Sequence, residues 1–215
     1  MPEVAEKAEG LRERNKREKL VRIRAAARAL FAKRGFEATT AREICERAGI
    51  GTGTLFLYVK DKRELLFLGF EEDARAIFAA GSAAAAGERD VVEQLMALFG
   101  RFIAYYARDR AHSKALLQEL FFREHDPERM GRLTLEYGAH VANLVANAQA
   151  RGDLRADVPA PLVANALFAH YAYWIQGWLG AGIVSREGAE DGLRKTLALQ
   201  LEGLRPTPGH KRMKP

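Results

Sequence analysis

Apolar positions recur along this chain at intervals of three and four, the period of helices. Leu20, Ile23, Ala27, Leu30 and Phe31 form the first stripe, which predicts an amphipathic helix from about Lys16 to Gly35. Residues 1 to about 14 have no such stripe and read as an arm or a frayed helix start, with Glu13 and Arg17 as an i to i+4 pair. The line from Thr39 to Leu66 is denser in signals. Thr40 followed by Glu43 is a reciprocal capping box that starts a two-turn helix at Ala41, with Ile44 and Ala48 on one face and Gly49 to stop it. Gly51 or Thr52 caps a second short segment whose core-facing residue is Leu55, and Asp61 with Glu64 forms another capping box. Two short helices joined by a glycine turn make a helix-turn-helix, whose second helix fits the DNA major groove.

The remaining pattern is also helical. A fourth helix runs from Lys62 to the alanine-rich stretch ending at Gly87, a fifth from about Arg89 to Arg108, and a sixth from about His112 to Glu124. Asp126 and Pro127 start a seventh that lasts to Gly152, an eighth covers about Leu162 to Leu179, and a ninth about Glu187 to Leu204. The expected fold is all-α with about nine helices: a three-helix head over residues 1–60, a helical bundle over 61–205, and a disordered tail over 206–215.

Charge sharpens this picture. Residues 1–62 hold 15 Lys and Arg against 9 Asp and Glu, whereas residues 63–215 hold 19 of each, so the formal net charge of +6 sits entirely in the head. A basic module on a neutral body suits a polyanion-binding unit attached to a sensing or assembly unit. No apolar run approaches the ~20 residues of a membrane span. The N-terminus lacks the apolar core of a secretory signal and Cys45 has no partner cysteine, so the expected compartment is the cytoplasm. The five histidines show no ligand spacing, and neither a metal site nor a cofactor is expected. Gly49, Gly51 and Gly53 follow no strand and precede no Gly-Lys-Ser/Thr, which argues against a nucleotide loop.

Thr-Ala-Arg-Glu-Ile, Ala48-Gly49-Ile50, Gly53-Thr54-Leu55-Phe56 and Lys62 before Glu64-Leu65-Leu66 resemble the DNA-binding signature of the TetR/AcrR-type transcriptional repressors. The resemblance implies phosphate contacts from Thr40, Tyr58 and Lys62, and groove-facing positions at Arg42, Gly51, Thr52 and Thr54. Physical chemistry agrees for two of these, since Thr40 stands at a helix N-terminus and Lys62 is a long cation at a helix start. Phe56 departs from the tyrosine frequent at its position and lacks the hydroxyl that would bond a phosphate. The recognition segment holds no Arg, Asn or Gln for bidentate base pairing, so Arg42, backbone contacts and DNA shape are expected to carry more than the usual share of specificity.

In the bundle, the eighth helix is apolar nearly all round, which calls for enclosure or a second chain. Leu167, Tyr171 and Trp178 with Leu193, Leu197 and Leu201 of the ninth helix are the expected homodimer interface, and a dimer places two recognition helices on a palindrome. Phe102, Tyr106, Phe121, Tyr137, His140, His170 and Trp174 are candidates to line a site for an apolar or amphipathic effector. These features point to a ligand-released, homodimeric repressor of double-stranded DNA. The rivals are an effector-independent DNA binder and a helical enzyme; no nucleophile-base or carboxylate pairing supports the latter, because Glu124, His125 and Asp126 are explained by capping.

Overall fold

The computed structural model describes residues 2–122 and 127–206, and within these the side chains of residues 2–9, 11, 12, 68, 119–122 and 127–134 lie outside the description. Among the described residues all regular structure is helical. The order is α1 (Pro2–Arg34), α2 (Ala41–Ala48), α3 (Thr52–Leu55), α4 (Glu64–Ala85), α5 (Val91–Arg108), α6 (Arg110–Phe122), α7 (Pro127–Arg151), α8 (Ala160–Ile175) and α9 (Arg186–Glu202), with a π turn at Gln176–Gly180.

Three boundaries differ from those the pattern predicts. Helix α1 starts at Pro2 instead of near Lys16. Proline is at home in a first turn, and the Ala, Glu, Lys and Arg that follow are strong helix formers, so the polar segment extends the helix without an apolar stripe. Its ion pairs are Arg14–Glu18 at 2.9 Å and Lys16–Glu13 at 3.8 Å rather than Glu13–Arg17. The eighth helix ends at Ile175 and its expected last turn is the π turn, where the Ala181 amide donates five residues back to the Gln176 carbonyl at 2.9 Å. Helix α4 starts at Glu64, two residues after Lys62. The expected N-cap Asp126 and the tail residues 207–215 lie outside the described residues.

Residues 1–73 and 111–121 pack as one unit, so α4 to Asp73 and most of α6 belong with the helix-turn-helix. Ile23, Phe31, Ile44, Leu55, Leu65 and Leu66 are fully buried in it, each side chain contributing about 1.5–3 kcal/mol. Arg24–Glu72 at 3.1 Å and Arg28–Asp73 tie α1 to α4. His112 of α6 lies against Phe31 of α1, with ring centroids 5.8 Å apart.

The second unit holds residues 74–110 and the described chain from 122 onward. Its stripes are Leu95, Leu98, Phe99, Phe102 and Ile103 on α5, Val141, Val145 and Ala148 on α7, Leu167, Tyr171 and Ile175 on α8, and Leu193, Leu197 and Leu201 on α9, all buried. Helices α8 and α9 touch through a missing side chain. A Cβ on Gly192 would lie 2.4 Å from Cη2 and Cζ2 of Trp174, whose Nε1 donates to Thr196 Oγ1 at 3.1 Å. Gly192→Ala gains about 1 kcal/mol of helix propensity but drives the indole off its hydrogen bond. We expect a net loss of about 1–3 kcal/mol in urea unfolding. A more stable variant would mean that the ring has room to move.

Candidate nucleic-acid interface

The turn before α2 is built from local chemistry. Gly35, at φ +79°, ends α1, and its carbonyl accepts from the buried Thr39 hydroxyl at 2.8 Å. The Thr40 hydroxyl oxygen accepts from the Glu43 amide at 3.2 Å, while Glu43 Oε2 accepts from the Thr40 amide at 2.8 Å. This is the expected capping box, and Arg34 from the end of α1 closes on the same carboxylate. The Thr40 hydrogen bonds, backbone first, and then Arg34 hold the Glu43 carboxyl below the usual carboxylate range. A depressed acid stabilises the fold above its unfolded pKa, and that contribution disappears as pH falls through the folded value. The α2 cap should therefore weaken in acid, and Thr40→Ala should cost about 0.5–2 kcal/mol at neutral pH. An acid-unfolding profile unchanged by Glu43→Gln would contradict this role.

Gly49, at φ +64°, ends α2 and returns its amide to Cys45 and Glu46. Gly51 then caps α3, with its carbonyl accepting from Thr54 at 2.9 Å and Leu55 at 3.2 Å. The helical turn continues past α3, since the Tyr58 and Val59 amides both donate to the Leu55 carbonyl, at 2.9 and 3.2 Å. Leu55 points fully into the core. At 100° per residue, Gly53 and Leu57 share the face opposite it. Gly51, Thr52, Gly53, Phe56 and Leu57 are exposed, and Thr54 and Tyr58 are half-buried.

The cap of α4 is shifted from the expected box. Asp61 Oδ1 accepts from Arg63 and Glu64 at 2.8 and 2.9 Å, but the Glu64 carboxylate takes the Lys60 amide at 2.6 Å rather than that of Asp61. Lys62 has a structural task that its sequence position did not disclose. Its ammonium donates to the Phe36 carbonyl at 2.9 Å and the Glu37 carbonyl at 3.4 Å, and sits 4.2 Å from the Phe36 ring centroid. Of its three donors one remains for a phosphate. Arg42, with a side chain 84% exposed, pairs with Glu46 at 2.9 Å. Such a pair is worth about 0–1 kcal/mol, so exchanging Glu46 for a phosphate or base costs little.

Residues 23–67 match the family model of bacterial regulatory proteins, tetR family. Over these residues the chain is similar to the TetR family. Among solved structures it is similar to Thermus thermophilus FadR, a TetR-family transcriptional repressor in complex with lauroyl-CoA, at 28% identity over 89% of this chain and 99% of that one, with a TM-score of 0.73. It is similar in fold to Bacillus subtilis FadR in complex with stearoyl-CoA, at 17% identity over 86% and 99% of the two chains and a TM-score of 0.68. It is similar in fold also to the fatty acid degradation regulator FadR from Bacillus halodurans, at 20% identity over 86% and 98%, with a TM-score of 0.66. None of the curated proteins compared with the chain matches it. TetR-family proteins are transcription regulators, and no helix among the described residues is long and apolar enough to cross a membrane. No group of three or more His, Cys, Asp or Glu suited to a metal occurs among the described residues.

In the second unit, four of the effector candidates come together. Tyr137 lies 5.8 Å from Phe102 and Phe102 lies 6.4 Å from Tyr106, between ring centroids, and Tyr137 and His140 both pack on Phe78 at 4.5 and 4.7 Å. Burial pushes the Tyr106 hydroxyl up to about 12 and holds the His140 imidazole below its usual value. His140 Nε2 is buried with no hydrogen-bond partner among the described residues. Phe78 was missed because Ile77 beside it fits the apolar stripe equally well. Trp174 instead faces Gly192 and Thr196 on α9, His170 is half-buried on α8, and the Phe121 side chain lies outside the described residues.

The residues expected at a homodimer interface turn inward. Leu167, Tyr171, Trp178, Leu193, Leu197 and Leu201 are all buried within the single chain. Tyr171 is part of the aromatic interior, stacked on Phe99 at 4.7 Å and hydrogen-bonded to Tyr106. The apolar side chains left exposed on these helices are Leu162 (60%), Phe168, Tyr173 and Leu199 (76%). Leu162, Val163, Ala166, Leu199, Gln200, Gly203 and Leu204, with Val158, line an open groove of about 290 Å³.

Proposed function

We propose that this TetR-family regulator binds a palindromic operator in double-stranded DNA as a homodimer in the cytoplasm and is released by an amphipathic acyl thioester. Thr40, Arg42, Gly51, Thr52, Thr54, Tyr58 and Lys62 face DNA from the unit that holds residues 1–73, and residues 74–110 with those from 122 onward are the sensing and dimerising body. The observation that carries the reading is α3: a short rod anchored by the buried Leu55 that holds Thr52, Gly53 and Leu57 out toward solvent.

Dimerisation is assigned to the outer face of α8 and α9, where Leu162, Tyr173 and Leu199 are uncovered and the groove between the two helices is apolar. The acyl effector is suggested by the similar structures that hold lauroyl-CoA and stearoyl-CoA. Phe102, Tyr106, Tyr137 and His140 supply an apolar lining with polar tips, as such a ligand requires. Helix α4 carries the response, since its residues to Asp73 pack in one unit and those from Ala74 in the other. An effector that prefers one body conformation needs a coupling of only ~1–3 kcal/mol to weaken operator binding about 5- to 150-fold.

The test is fluorescence anisotropy of the full chain on labelled duplex from its own flanking region, titrated with lauroyl-CoA, coenzyme A and laurate. Loss of affinity with the thioester alone supports the proposal. Operator affinity indifferent to all three would leave an effector-independent DNA binder.

A further inference from the structure

We infer that Leu57 reads thymine methyl groups in the operator half-site; this rests on the DNA-binding reading above. Leu57 is 82% exposed, the most uncovered of the large apolar side chains described, and Phe56 next to it is 51% exposed. Neither serves the fold there, because Leu55 and Val59 already fill the inward positions of this turn. An exposed leucine is unremarkable alone, but this one stands at the centre of the face that α3 presents outward.

Gly53 precedes it by four residues on the same face. A Cβ on Gly53 would meet nothing within 4 Å, so packing inside the protein does not require glycine at this position. Its effect is to leave the surface beside Leu57 low, so that a base edge can come close to the isobutyl group. The hydrogen-bonding side chains of the rod are Thr52 and Thr54, whose hydroxyls bond to more than one kind of base. Thymine is the one base that places a methyl group in the major groove, and an apolar side chain is its natural partner. The charge nearby in the chain favours DNA as occupant over an apolar protein surface: Arg42 on α2 and Lys60 just after the rod are exposed, and Lys62 keeps one donor.

The test begins with duplexes selected by the full-length chain from a random pool. Each thymine of the selected half-site is then replaced by deoxyuridine, which removes the methyl and leaves every hydrogen-bonding group in place. Wild type should select thymine at one or more half-site positions and lose roughly fourfold in affinity for each contacted methyl removed. Leu57→Ala, which touches no core, should melt as wild type does and bind thymine and deoxyuridine duplexes alike. If wild type still prefers its selected sequence but ignores the deoxyuridine exchange, the methyl reading fails while DNA binding stands. If Leu57→Ala retains the same preference for thymine, another residue is the reader and the inference fails. If wild type selects no sequence at all, the DNA-binding reading falls and takes this inference with it.

Discussion

Leu55→Ala is expected to destroy sequence-selective DNA binding although residue 55 never meets DNA. Helix α3 has four residues, far too few to hold itself together in water. It persists because Leu55 is fully buried, with Val59 one turn on, and because the Leu55 carbonyl receives the amides of Tyr58 and Val59. Removing the isobutyl group should cost about 2–5 kcal/mol, against a total stability of about 5–15 kcal/mol for an ordinary domain. The loss falls on the rod that carries Thr52, Thr54 and Leu57, so selected and scrambled duplexes should be bound equally weakly, with lower stability in urea. Leu55→Met conserves volume and should cost under about 1.5 kcal/mol while keeping selectivity. Operator selectivity retained in the alanine variant would show that α3 is held by something other than Leu55.

The second large effect is expected from paired changes on the uncovered face of α8 and α9. Leu162→Glu with Leu199→Glu puts two carboxylates into the apolar groove. Because both leucines are exposed in the single chain, the fold should survive and thermal unfolding at low concentration should change little. Sedimentation should show a monomer. Operator affinity should drop by about two to three orders of magnitude, since one head reading one half-site recovers only part of the ~10³–10⁷ separating specific from non-specific binding. Leu193→Glu, on the buried stripe, should instead unfold the chain. A double variant that remains dimeric would place the interface elsewhere.

Several features that rest on neighbouring residues were legible in the sequence, although the Asp61–Glu64 box was shifted by one residue. Thr40 and Glu43, Gly49, and the inward Leu55 are dictated by caps and turns that span a few positions, and the structure has them where the pattern puts them. Features that depend on partners far along the chain were not visible. Lys62 reaches carbonyls 25 and 26 residues away, and no spacing rule signals such a contact. The contact of Trp174 with Gly192 has no local signature either.

Which side of α8 the chain itself covers was not legible for a related reason. Helix α8 is apolar on more than one side, and periodicity identifies apolar positions without saying which of them the same chain covers. The stripe of Leu167, Tyr171 and Ile175 turned inward and left Leu162 and Tyr173 outside. The absence of strong base-reading side chains on α3 was legible at once, whereas the exposure of Leu57 that gives that absence a meaning required coordinates.

The most direct test of the account is hydroxyl-radical footprinting of the full chain on the duplex it selects. A homodimer with two α3 rods predicts two protected patches related by a dyad, with centres one helical turn, ~34 Å, apart or a small multiple of it. Leu55→Ala should erase both together. Uniform protection independent of sequence, or a single patch that persists when either half-site is scrambled, would contradict it.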